Sequence, residues 1–355
     1  MIALAEVLRR HWPAYEGKFG ARLLPSHRRA VAAIVCCRTP ALGGQLFRCD
    51  CGRLHYAYHS CNHRACPQCG HADTTAWLDR QRRRLLPLPY YLVTFTVPGQ
   101  LRALIRSNQK LLYDLLLRHS AGALLDVGRS HKNLGAQLGL LAVLQSWTRD
   151  LRFHPHLHCV VPAGGLSIDG LRWLRPKDPA YFLPEAALAM RLRTRLKRAL
   201  QQDHPQLFLQ IPRPVWSMNW VADVRAVGRG ESALKYLAAY LYRTAFSAER
   251  ILHDDGRFIT FSYRHSGSGQ TRTVRLPAEA FLHRFLQHVL PRGFQRVRSF
   301  GWLSAAGKNN WERILALLDW KQPALTPPTP LPPPLCPSCH QPMKLVGSLS
   351  RAPPF

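Results

Sequence analysis

Two histidines flank one apolar residue in the segment Phe153-His154-Pro155-His156-Leu157-His158-Cys159-Val160-Val161. Side chains alternate across a strand, so His156 and His158 point to one side and Leu157 to the other, toward a core. Two neutral imidazoles so placed form a bidentate clasp for a divalent ion. They leave much of its coordination shell open to substrate oxygens and water, as a catalytic metal requires. The plainer alternative is two polar residues on a solvated strand face. His154 shares that face, but strand rise separates the first and third histidines by roughly 13 Å, against a metal–imidazole distance of about 2 Å. His154 is therefore expected beside the metal shell or on a phosphate. The third ligand must come from elsewhere, Asp150, Asp223 and Glu231 qualifying by type alone.

Downstream stands Leu234-Lys235-Tyr236-Leu237-Ala238-Ala239-Tyr240-Leu241-Tyr242-Arg243. On a helix Tyr236 and Tyr240 share one face, while Tyr242 lies well round from both. Alone, such a pair reads as amphipathic packing. Beside a metal that polarises a phosphate, two attacking tyrosines describe a nuclease whose product stays attached to the enzyme.

Seven of the ten cysteines fall between Cys36 and Cys69, in company with His55, His59, His63 and His71. That density reads as zinc. Cys66-Pro67-Gln68-Cys69 is a knuckle, because two intervening residues let both thiolates turn onto one ion. Cys49 and Cys51 are the expected opposing pair. Cys37 and Cys61, with Cys36 or a nearby histidine, would form a second site, the pairing being left open by one sequence. Cys159, on the clasp strand, is expected to pack as a small core residue. The tail carries Cys336-Pro337-Ser338-Cys339-His340, half a zinc site with no second cysteine pair after it. An incomplete knuckle, a dimer bridge and a decayed remnant all satisfy that pattern.

Charge points to a polyanion. The chain has 49 Lys plus Arg against 20 Asp plus Glu, a formal +29, far more than solubility needs. Arg80, Arg82, Arg83 and Arg84 form one concentration, and Arg191, Arg193, Arg195, Lys197 and Arg198 a second. Of these, Arg80, Arg82, Arg83, Arg84, Arg191, Arg195 and Arg198 are the expected DNA phosphate contacts, although either run alone would pass for a solvated helix face. A membrane is the rival polyanion, but no apolar stretch approaches the ~20 residues of a spanning helix. The N-terminus is interrupted by Glu6, Arg9 and Arg10 and lacks a signal-peptide core. A cytoplasmic protein with reduced cysteines is expected.

The ordered set of Val93-Thr94-Phe95-Thr96-Val97-Pro98, HPHLHCVVPAGGL, YLAAYLYR, FLHRFLQHVLPRGFQRVRSFGWL and a cysteine-rich front end resembles the two-tyrosine rolling-circle transposases of the insertion-sequence ninety-one family, a branch of the HUH endonucleases. The resemblance covers nearly the whole chain. It implies an HUH-type antiparallel sheet with flanking helices behind a small zinc-binding module. It also implies that Tyr236 and Tyr240 are nucleophiles, that His156 and His158 hold Mg²⁺ or Mn²⁺, and that structural Zn²⁺ sits at Cys37, Cys49, Cys51, Cys61, Cys66 and Cys69. The implied activity is nicking and rejoining of single-stranded DNA at the ends of a mobile element and in its target. A relaxase or replication initiator with the same chemistry, and a non-catalytic zinc-dependent DNA-binding protein, are the competing readings.

Punctuation divides the chain into a cysteine-rich module at 1–87, a nuclease at 88–320 and a proline-rich linker with a CxxC tail at 321–355. Periodicity predicts strands over 90–97 and 137–145, helices over 100–117 and 184–202, and a hairpin from 258–263 and 271–276. The fold class that follows is α+β, an antiparallel sheet with helices on its faces.

Overall fold

The computed structural model describes residues 2–69, 71–232, 234, 246–265, 267–324 and 332–351. The chain begins with helices α1 (Leu4–Phe19) and α2 (Pro25–Cys36), followed by the hairpin of β1 (Gly44–Arg48) and β2 (Leu54–Tyr58). Helix α3 (His71–Arg82) leads into β3 (Pro89–Thr96). Then come α4 (Arg102–Ser107), α5 (Gln109–Arg129), the short β4 (Ala136–Gln137), β5 (Gly139–Trp147) and β6 (Phe153–Pro162). Two more short strands, β7 (Gly165–Ser167) and β8 (Trp173–Leu174), precede α6 (Glu185–Asp203) and β9 (Val221–Arg229). The remainder holds β10 (Ile251–Asp254), β11 (Phe258–Arg264), β12 (Thr271–Pro277), a helix Ala278–Leu286, β13 (Val297–Gly301), a helix Lys308–Leu317 and β14 (Lys344–Leu349).

The central sheet has five strands in the order β13-β5-β6-β3-β9, each neighbouring pair antiparallel. This is the α+β architecture expected. Alternation decides its two faces. Leu157, Cys159 and Val161 of β6 are fully buried with Tyr91, Val93 and Phe95 of β3 in the main core. Helix α6 covers that face through Leu188, Leu192, Leu196 and Leu200, a four-residue repeat that draws one apolar stripe down the helix. Pro184 caps its start, and Glu185 in the first turn accepts the Val224 amide of β9 at 2.7 Å, tying helix to sheet edge. Cys159 packs in this core as expected.

The opposite face carries the histidines. Beyond them it buries a smaller cluster of Leu92, Leu141, Val143 and Val160 under Trp77 of α3 and Leu234. Between β5 and β6 the chain turns through Leu151, which is fully buried at φ 63°. A bulky residue tolerates that left-handed backbone only where packing over-determines it. Here its side chain joins a second core built from α1, α2, Cys37, Cys66, Trp147, β10, β11 and the helix Ala278–Leu286.

The expected helix over 100–117 is instead two: α4 stops at Asn108, whose Nδ2 donates to the Leu104 carbonyl, and α5 then runs on to Arg129. The tail does not trail away. Strand β14 pairs antiparallel with β1, making a three-stranded sheet β14-β1-β2. Among the described residues no helix is long and apolar enough to cross a membrane.

Candidate functional site

Register builds the site. On β6, His156 stands opposite Thr96 of β3 and Gln145 of β5, and His158 opposite Thr94 and Val143. These side chains therefore share one face at the middle of the sheet, where neighbouring strands fix backbone and ring positions. The His156 and His158 rings lie 4.9 Å apart and nearly perpendicular, at 85°; His154 and His156 are 5.3 Å apart.

Each ring is held at Nδ1. His156 Nδ1 donates to the His154 carbonyl at 2.7 Å, which leaves Nε2 as the unprotonated nitrogen of the neutral ring. His158 Nδ1 shares a hydrogen bond of 3.1 Å with Thr94 Oγ1. Tying the far nitrogen to a carbonyl or hydroxyl is how proteins aim an imidazole at a metal. Burial disfavours the charged rings, pushing His156 down to about 4 and His158 to about 3. Both are neutral near pH 7.

His154 is different. Its Nδ1 accepts from Arg102 Nη2 at 2.6 Å, and desolvation, with that guanidinium, lowers its pKa. Its carbonyl, not its ring, supports His156. Of the third-ligand candidates, Asp150 pairs with Arg152 at 2.6 Å, Asp223 with Arg225 at 2.7 Å, and Glu231 with Arg82 at 3.4 Å. Among the described residues none gathers with His156 and His158 into a metal-ligand cluster. Sequence reading missed Thr94, Arg102 and Gln145, none of which carries a local signal. Gln145 is 7% exposed, donates Nε2 to the Trp147 carbonyl at 3.1 Å, and has a buried Oε1 with no hydrogen-bond partner among the described residues.

Tyr236 and Tyr240 lie outside the described residues. Leu234, two positions before Tyr236, is buried with Val143 and Val160, neighbours of His158 on its own face.

The cysteines form two groups of four, in each of which the sulfurs lie within 4.8 Å of one another. Cys66 and Cys69 meet Cys37 and Cys61, rather than Cys49 and Cys51; Cys69 Sγ is 3.4 Å from Cys37 and 3.5 Å from Cys61. The Cys66 contact pulls Cys61 down to about 5 and raises Cys66 itself, so negative charge settles first on Cys61. Cys49 and Cys51 meet the tail pair, Cys336 and Cys339. Cys36 joins neither group.

The arginine runs occupy opposite sides of the sheet. Arg80 to Arg84 adjoin α3, over the histidine face; Arg191, Arg195 and Arg198 stand on α6, over the other. Arg84 spends its donors on Ser299 Oγ and the Leu303 carbonyl. Arg82 pairs with Asp79, and Arg83 donates to the Pro323 carbonyl. Arg191 and Arg195 both bind Asp126 of α5 at 2.7 Å. Arg80 and Arg198 are exposed.

A family model described as a putative transposase matches residues 139–310, and one described as a transposase zinc-binding domain matches residues 7–97. The molecule is thus a transposase with a zinc-binding domain. The chain is 36% identical to a putative transposase of Sinorhizobium fredii, over 84% of this chain and 80% of the relative. It is 28% identical to the transposase for insertion sequence element IS801 of Pseudomonas savastanoi pathovar phaseolicola, over 77% and 69%. It belongs to the insertion-sequence ninety-one family of transposases. No solved structure matches it.

Proposed function

We propose that this transposase nicks and rejoins single-stranded DNA through a 5′-phosphotyrosine, moving an insertion sequence by rolling-circle transposition. The observation that carries the reading is the pair of desolvated, neutral imidazoles held at Nδ1, with Gln145, whose buried Oε1 has no hydrogen-bond partner among the described residues, in register with His156 on the neighbouring strand. A buried acceptor without a partner costs about 1–3 kcal/mol. A cation beside it removes that cost, and two imidazole nitrogens with an amide oxygen suit a hard or borderline divalent ion. His156, His158 and Gln145 would hold Mg²⁺ or Mn²⁺, which when bound supplies Lewis-acid polarisation of the scissile phosphate.

The chain does the rest. Because the rings are already neutral, no proton need be displaced before they coordinate. His154 positions His156 through its carbonyl and keeps the Arg102 guanidinium beside the clasp, a fixed positive charge for a phosphate oxygen. The phenol oxygen of Tyr236 or Tyr240 attacks phosphorus and the P–O3′ bond breaks. The 3′ oxygen leaves with the bonding pair and gains a proton as the phenol loses one. One phosphodiester is exchanged for another, so no ATP is consumed. The second tyrosine cleaves a second junction, and a free 3′-OH reverses the first step to join strands. Zinc at Cys37, Cys61, Cys66 and Cys69 holds the front-end module that positions the DNA end.

A library of 3′-labelled random single strands, incubated with protein and Mg²⁺ and run on a denaturing gel, tests this. Protein-linked label is expected, weaker in Tyr236→Phe and in Tyr240→Phe, and absent from the double variant. An adduct that survives the double substitution, or labelled fragments found only with a free 5′-phosphate end, refutes the tyrosine mechanism.

A further inference from the structure

We propose that Cys49, Cys51, Cys336 and Cys339 form a second structural zinc site whose ligands come from the two ends of the chain, and that this site fastens β14 to the edge of β1. Four thiolates about a tetrahedral ion at 2.3 Å stand about 3.8 Å apart. Here Cys49 Sγ lies 3.3 Å from Cys339, and Cys51 Sγ 3.7 Å from Cys336. Both contacts are far longer than the roughly 2.05 Å of a disulfide, and all four cysteines are free.

Each pair sits on a tight turn that aims its sulfurs. Cys49 and Cys51 occupy the β1–β2 turn, where the Cys49 amide donates to the Arg53 carbonyl at 2.8 Å and Gly52 to Cys49 at 2.9 Å. The tail pair is folded by the Cys336 amide on the Gln341 carbonyl and the His340 amide on the Cys336 carbonyl, both at 2.9 Å. Around the sulfurs, Lys344 Nζ pairs with Asp50 at 2.9 Å, and Arg53 donates to Ser338 Oγ.

Apolar packing is too thin to hold the tail by itself. Among the described residues the apolar cluster here buries Phe47, Cys49, Cys336 and Met343, while Leu345 and Val346 of β14 are 58% and 44% exposed. Yet β14 pairs with β1 from Gly44 opposite Leu349 to Arg48 opposite Lys344. Ordering a strand so far along the chain needs an interaction stronger than that surface provides, and ligation by four thiolates is of that kind. The site closes only after Cys336 and Cys339 have been made. A chain ending before Cys336 leaves Cys49 and Cys51 as half a site and β1 with an unpaired edge.

Native mass spectrometry of the reduced full-length chain should count two zinc ions per chain. Cys336→Ser with Cys339→Ser should carry one, and hydrogen exchange should speed at residues 344–349 with α1 and α2 unchanged. Cys339→His keeps a ligand and should keep two ions, which separates ligation from a general folding defect. An unchanged count in the double serine variant, one ion in the wild type, or a second ion found only in dimers overturns the proposal.

Discussion

Thr94 and the His154 carbonyl hold His158 and His156 by their Nδ1 atoms, so ring orientation depends on residues that touch no substrate. Thr94→Val keeps the shape and removes the hydroxyl. It should weaken divalent-ion binding about 10- to 100-fold with unchanged thermal stability, read as Mn²⁺ affinity by electron paramagnetic resonance; unaltered affinity would discard the role of Thr94. Gln145→Met tests the amide in the same titration, and a loss of comparable size is expected. Buried histidines also set the acid limit. His288, buried between Ser146 and the Leu151 carbonyl, is pushed down to about 4 by desolvation, alongside His156 and His158. Their pKa values are depressed on folding, so below the unfolded value of about 6.5 the unfolded chain binds protons that the native state refuses. Stability should therefore be flat from pH 8 to 6.5 and fall as pH drops toward 4, with a limiting slope of about 1.4 kcal/mol per pH unit for each such histidine. Urea midpoints across this range should show a shallower decline for His288→Gln, and equal slopes would contradict the assignment.

At the scale of elements, the front-end helices are not packed as an independent module. Helices α1 and α2 and Cys66 share one core with Leu151, β10, β11 and the helix Ala278–Leu286. Loss of the Cys37, Cys61, Cys66 and Cys69 ligands is thus expected to loosen that distant hairpin as well as the N-terminal segment. The centre of this core is three aromatic rings, Phe246, Phe261 and Phe281, with centroids 5.2–5.8 Å apart. Phe281→Ala should cost about 3–5 kcal/mol, measured by chemical denaturation. A cost below about 1 kcal/mol would mean that the core collapses readily round the gap. The sheet itself should survive this change, because its main core under α5 and α6 is made of different residues.

Across the whole molecule, a formal +29 makes DNA affinity depend on salt. With 6–10 phosphate contacts, affinity should fall about 10³- to 10⁵-fold between 50 and 200 mM salt. The two arginine runs flank opposite faces of the sheet, each partly neutralised, by Asp79 and Glu231 on one side and by Asp126 on the other, and the Arg80 to Arg84 run lies over the face that carries the histidines. Replacing Arg80, Arg82 and Arg83 with Ala should therefore flatten the salt slope more than replacing Arg191, Arg195 and Arg198. Fluorescence anisotropy with single-stranded DNA at several salt concentrations decides it, and the reverse order would place the strand over α6.

What could be read from the residues in order was whatever depends on near neighbours. Strand alternation put His156 and His158 on one side and Leu157 in the core. Cysteine density between Cys36 and Cys69 announced zinc, and the excess of arginine a polyanion. What could not be read was every choice that joins distant segments. Cys66 and Cys69 take Cys37 and Cys61, while Cys49 and Cys51 take cysteines from the far end of the chain. Any thiolate pair on a tight turn can complete another, so spacing alone leaves the partners degenerate and sheet pairing resolves them. Gln145 and Thr94 look like ordinary strand residues until the register of β5 and β3 against β6 sets them opposite the histidines. Register is a property of the closed sheet, decided by which faces bury together, and no single strand contains it.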